Sequence, residues 1–132
     1  MHRRHLLKIL AGAGALLIGR PAPARPAPRR RLLVQDSPLA GFAYHHGPRL
    51  WPRLAPGQTL TLVREPDNRH DRRAVAIHWH GERLGYLPAF ENTAVAQMLD
   101  RGLPLEAEIL ALEPSRNPWR RLRLRVWLEA SR

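Results

Sequence analysis

The sequence predicts a small, mostly β domain of about six short strands with one main helix. Period-two alternation of apolar and polar side chains recurs between turn signals. Thirteen prolines and nine glycines in 132 residues cut the chain into short segments. Helical spacing is confined to one stretch, after Pro88. The length leaves room for a single domain.

From the start, residues 1–24 read as an export signal. Arg3-Arg4-His5-Leu6-Leu7-Lys8 precedes an apolar run from Ile9 to Ile18, shorter than the ~20 residues a membrane-crossing helix needs. The opening is similar to the twin-arginine pattern R-R-x-[FL]-L-K, and Ala22-Pro23-Ala24 offers a small-residue cleavage site. The expected location is the periplasm or cell envelope, with no transmembrane span after signal removal. The alternative is a basic, unstructured start to a cytoplasmic protein. Residues 25–31 continue as a basic, Pro-rich linker biased toward polyproline II, and residues 32–132 form the domain.

Net charge is +11, but eight of the 22 basic residues and none of the 11 acidic ones fall in residues 1–31. The domain itself is only weakly basic, so a partner must be inferred from local clustering. With no cysteine, disulfides and thiolate metal sites are excluded.

Leu32, Val34, Phe42 and Tyr44 supply the first strand material, interrupted at Asp36-Ser37-Pro38 and closed by Gly47-Pro48. Leu60 and Leu62 alternate with Thr59, Thr61 and Val63, and Pro66-Asp67-Asn68 then bends the chain. Ala74 to Trp79 and Leu84 to Leu87 make a hairpin around His80-Gly81-Glu82. Phe90, Ala94, Val95, Met98 and Leu99 share one face of a helix ending at Gly102. Leu105 to Leu112 alternates, with Glu106 and Glu108 outward, as an edge or near-edge strand. The last strand is expected from Trp119 to Leu128. Leu122, Leu124, Val126 and Leu128 face the core, and Trp119, Arg121, Arg123, Arg125 and Trp127 share the other face. That second face is either a solvated arginine surface or a stacking and phosphate surface for single strands.

One connection holds more polar residues than a turn requires, with Arg64, Glu65, Asp67, Asn68, Arg69, His70, Asp71, Arg72 and Arg73 within ten positions. The run R-E-P-D-N-R-H-D-R-R-A-V-A-I, followed by G-E-R-L-G-Y-L-P, resembles the HIRAN domain. Arg64, Glu65, Pro66, Asn68, Asp71, Ala74, Val75, Gly85, Tyr86, Leu87, Pro88, Leu99, Asp100 and Gly102 carry the match. The resemblance implies an OB-like six-stranded β-barrel capped by its helix. It also implies a nucleic-acid-binding module for single-stranded DNA or DNA ends, without catalysis of its own. It places Tyr44, His45, Asn68, Asp71 and Tyr86 in the site, with Tyr44 and Tyr86 stacking a base and Asp71 accepting from a sugar hydroxyl. DNA-binding members fused to helicases carry a basic residue and two aromatics in the first motif. Here Tyr44 fits, His45 takes the second aromatic place, and Ala43 lacks the basic group.

Arg64, Arg72 and Arg73 are the local phosphate candidates, and Arg121, Arg123 and Arg125 the distant ones. The export signal and Ala43 favour an alternative, an envelope protein whose barrel binds a protein or polymer. No G-x-x-x-x-G-K-[ST], nucleophile elbow or helicase motif occurs. His78-x-His80 sets two imidazoles on one strand face, a sparse donor set for zinc without H-E-x-x-H spacing, and no cofactor is expected.

Overall fold

The computed structural model describes residues 30–130. The export-like segment and most of the linker lie outside them. Six strands run β1 (Arg31–Pro38), β2 (Thr59–Arg64), β3 (Val75–Trp79), β4 (Glu82–Tyr86), β5 (Leu105–Leu112) and β6 (Leu122–Glu129). Three short helices join them: α1 (Gly47–Leu50), α2 (Thr93–Asp100) and α3 (Pro118–Arg121). The strands form one sheet in the order β1-β6-β5-β2-β3-β4, every pair antiparallel.

Curvature comes from the pairing itself. β2 pairs with β5 through Thr59 and Leu60, then with β3 from Thr61 to Arg64. Register shifts interrupt β1/β6, β3/β4 and β5/β6, and such bulges bend and twist a sheet. The outermost strands thereby approach each other without closing the expected barrel. Two residues past β1, Ala40 exchanges two 2.9 Å hydrogen bonds with Tyr86 at the end of β4. That single bridge is where the open sheet meets itself. It requires Gly85, because a Cβ there would lie 2.2 Å from the Ala40 carbonyl oxygen.

The β3–β4 hairpin turns at His80 and Gly81, with φ of 48° and 78°. Both central residues of a type I′ turn need positive φ, which glycine adopts without penalty. Leu84 and Ile77 from this hairpin join Leu60, Ala107, Ile109, Leu122, Leu124 and Val126 in one core, which Val95 of α2 also enters. Among the described residues no helix is long and apolar enough to cross a membrane.

Four local expectations are corrected. β1 runs through Asp36-Ser37-Pro38, and Phe42–Tyr44 form a 3-10 turn. Phe42 is buried and packs edge-on to Trp51 at 5.7 Å. β5 is interior to the sheet, since it pairs with β6 on one side and β2 on the other, with Glu106 opposite Trp127 and Glu108 opposite Arg125. α2 starts only at Thr93 and buries Val95 and Ala96, whereas Phe90 and Ala94 are exposed. Trp119 and Arg121 lie in α3, outside the last strand, because Asn117 caps Trp119 N–H at 3.1 Å and Pro118 opens the helical turn.

Candidate functional site

The polar connection between β2 and β3 is held by its own side chains. Asn68 Oδ1 accepts the backbone N–H groups of His70 (2.9 Å) and Asp71 (3.1 Å), and Asn68 Nδ2 donates to Glu65 Oε1 at 3.0 Å. Asp71 Oδ1 accepts the Arg73 N–H at 2.8 Å, and its Oδ2 accepts from Asn92 Nδ2 at 2.7 Å. Asn92, at the start of α2, is buried. The loop is therefore fastened to the helix, and Asp71 is the link.

Glu65 fastens the loop to β4. Its Oε1 also accepts from the Tyr86 hydroxyl at 2.8 Å, and its Oε2 accepts from Arg83 at 2.8 Å. Burial alone would raise the Glu65 carboxyl, but the bonds from Asn68 and Tyr86 and the charge of Arg83 hold it below its ordinary value. The Arg73 N–H, against some burial and helped by Asn92, lowers Asp71. Burial, then the hydrogen bond to Glu65, raises the Tyr86 phenol.

These residues wall a pocket of about 320 Å³, lined by Ala40, His45, Asn68, His70, Asp71, Tyr86 and three apolar neighbours. Segments distant in sequence converge here because the Ala40–Tyr86 bridge brings the end of β1 onto β4. The His45 ring meets Tyr86 at 5.6 Å between centroids, tilted 63°, and the Arg83 guanidinium lies 5.4 Å from the Tyr86 ring centre. Burial first, then Arg83 and His46, lower the His45 pKa, with Glu65 opposing.

The structure thus gathers His45, Asn68, Asp71 and Tyr86, but not Tyr44. Tyr44 is 88% exposed and outside the lining. In a three-residue turn Phe42 and Tyr44 point different ways, and Phe42 takes the inward place. The expected pair of tyrosines around one base does not form. Arg64 is tied to Asp100 (2.8 and 3.3 Å) and to the Ala74 carbonyl (2.9 Å). Arg73 reaches Thr93 Oγ1 at 3.1 Å, while Arg72 is exposed with no ion-pair partner among the described residues.

The distant arginines are engaged elsewhere. Arg121 stacks over Trp51 (4.2 Å) and Phe42 (5.2 Å). Arg123 binds Asp36 at 2.7 Å, with Arg125 3.8 Å from the same carboxylate. Trp127 donates to Glu108 at 3.0 Å beneath Arg31. His78 is half-buried on β3, but His80 sits in the turn, so the two imidazoles do not share a strand face. Among the described residues no three His, Asp or Glu side chains are grouped to hold a metal ion.

Sequence reasoning did not single out His70 in the pocket wall, Asn92 behind Asp71, or the exposed Phe90–Trp119 pair. Those two rings stack at 6.1 Å and 28°, with 76% and 45% of their surface exposed. Phe90 directly follows the wall residue Ala89 in the chain, though neither ring lines the pocket. Spacing hid it: Phe90 fell on the extrapolated helix stripe and Trp119 on the extrapolated strand.

The profile of the HIRAN domain matches residues 32–131. Among solved structures, a Lactobacillus plantarum protein superimposes with TM-score 0.66 at 23% identity, over 78% of this chain and 100% of that one. The HIRAN domain of human HLTF superimposes with TM-score 0.56 at 19% identity, over 75% of this chain and 80% of that one. At these identities the two structures establish the fold. No curated protein matches the chain.

Proposed function

The chain belongs to the HIRAN domain family, and from that premise we propose that it binds the end of a nucleic-acid strand, DNA in the first instance, without catalysis of its own. The observation that carries this reading is the convergence of His45, Asn68, Asp71 and Tyr86 on one concavity. Its volume of about 320 Å³ suits one small group, at the low end of the ~300–1,000 Å³ of ligand pockets. A single nucleotide is a group of that kind.

The wall keeps capacity for a ligand, chiefly at Asp71. Each Asp71 oxygen accepts one bond and retains a lone pair for a hydroxyl. Asn68 has its carbonyl oxygen filled by two backbone donors, and its amide is turned to Glu65 and Tyr86. The Tyr86 hydroxyl is committed to Glu65 as donor, so the residue offers its ring. The exposed Phe90–Trp119 pair offers an outer aromatic face on which a base can stack. Arg72 is the local phosphate contact, and a carboxylate in the pocket wall repels a phosphorylated end.

The test is a titration of the full chain against single strands with hydroxyl or phosphate ends, for wild type and Asp71→Ala. Wild type should favour the hydroxyl strand and Asp71→Ala should lose the preference. Equal affinity in all four pairings would remove end recognition. Location is a separate proposal carried by Arg3-Arg4: a C-terminally tagged chain should fractionate with the periplasm or envelope, and recovery only from cytosol would reverse it.

A further inference from the structure

Resting on the strand-end reading, selectivity at Asp71 requires that its carboxylate be set in one orientation and stay unpaired. The bond from the Arg73 N–H spans two residues of one loop, a local contact that aspartate makes in many turns. Alone it leaves the carboxylate plane loosely set, because the χ2 torsion of aspartate is broad. The other oxygen is held from outside the loop. Asn92 Nδ2 donates to it at 2.7 Å, and since an ionised carboxylate only accepts, the amide must be the donor.

The needs of the helix do not account for Asn92. Asparagine ahead of a helix ordinarily caps it, accepting an N–H of the first turn from an extended backbone. Here φ and ψ are −100° and −7°, and the side chain caps nothing. Its Oδ1 is buried without a hydrogen-bond partner among the described residues, in a residue only 1% exposed. Burying a half-satisfied amide is unfavourable. What the side chain does hold is Asp71.

We propose that Asn92 is the positioning residue for end selectivity: it fixes Asp71 so that the free lone pairs and the charge of the carboxylate meet the strand end. Asp71 has cationic neighbours from which it must be kept. The Arg73 N–H first, then Asn92 and the charges of Arg73 and Arg64, hold its carboxyl below the ordinary value against some burial. Both guanidiniums are turned to other partners, Arg73 to Thr93 Oγ1 at 3.1 Å and Arg64 to Asp100. A carboxylate released by Asn92 is free to turn and pair with Arg73, its neighbour in the loop. Once paired it neither accepts from a hydroxyl nor repels a phosphate, so the pocket loses its means of telling the two ends apart. The start of α2 thus serves recognition at the expense of its own cap.

The experiment uses the full chain and two internally labelled single strands of one sequence, with hydroxyls or phosphates at both ends, titrated by anisotropy at neutral pH and fixed ionic strength. The ratio of phosphate to hydroxyl Kd should exceed one in wild type and fall about fivefold or more in Asn92→Ala. Asn92→Ser, which keeps a residue suited to a helix start, should show the same fall and serves where Asn92→Ala loses the fold. A weakening shared equally by both strands is what a purely structural role gives; it overturns the assignment, as does an unchanged ratio in a folded variant. A second readout needs no strand. The Asp71 carboxyl resonance should titrate at higher pH in either variant than in wild type, because a donor to the ionised form is gone. An unchanged titration overturns the hold on Asp71 itself. A wild-type ratio of one or below overturns the strand-end reading, and this inference with it.

Discussion

Two regions of this molecule carry dense polar sequence, and they come to opposite ends. In the loop from Glu65 to Ala74 the polar groups bond one another into a frame whose unfilled capacity faces a cavity. On β6 the arginines alternate regularly, but Arg123 and Arg125 meet Asp36 and Trp127 meets Glu108, while Arg121, just before the strand, is stacked on Trp51 and Phe42. A sheet face built across three strands brings the charges of β1 and β5 alongside those of β6, and they neutralise. Charge counted along a strand is therefore not charge available to a partner.

The severest way to break the comparison is Gly85→Ala. A methyl group 2.2 Å from the Ala40 carbonyl separates the two walls of the pocket and leaves β6 untouched. Unfolding in urea should show a loss of about 3 kcal/mol, as for overpacking of a tight contact, together with loss of strand binding.

Asp71→Ala comes next. It deletes two hydrogen bonds to a carboxylate and leaves the buried Asn92 amide without that acceptor, so the same measurement should register about 2 kcal/mol. An equal loss from Asp36→Ala on the β6 face would erase the distinction between the regions.

Acid titration sharpens it further. The folded His45 pKa is lowered, so the unfolded chain binds the proton first and stability falls as pH drops below the ordinary 6.5. The folded Asp71 and Glu65 values are also lowered, so their stabilisation is present above 3.8 and 4.5 and is lost as pH falls through the folded values. Thermal midpoints should decline shallowly below about pH 6.5 and steeply below about 4.5. His45→Gln should remove the shallow limb alone.

The smallest effect separates arginines. Arg72→Gln should reduce the slope of log K against log salt by about 1. Arg123→Gln, whose charge already meets Asp36, should leave that slope unchanged.

Much of the fold was legible because local chemistry decides it. His80-Gly81 announces the hairpin, and Leu122, Leu124 and Val126 announce a core-facing strand. The place of β5 was not legible, since Glu106 and Glu108 read as edge charges until their partners on β6 are known. α3 had a signal, Asn117 before Pro118, which the alternation of the following residues masked. Barrel closure failed because it depends on a ladder between β1 and β4 that one bridge replaces. At the site, the loop residues were readable as turn formers placed at fixed spacing. Asn92 was not, lying 21 positions from the carboxylate it holds, and neither was the outward aim of Tyr44, which is set by what Phe42 does.

The meeting of Ala40 with Tyr86 has one more consequence. The same two residues that zip the ends of the sheet together also wall the cavity, so parting that seam and emptying the cavity are one event. A ligand held between them adds its binding free energy to the cost of opening. Occupancy should therefore be readable at the seam itself, as slower deuterium uptake at the amides of Ala40 and Tyr86.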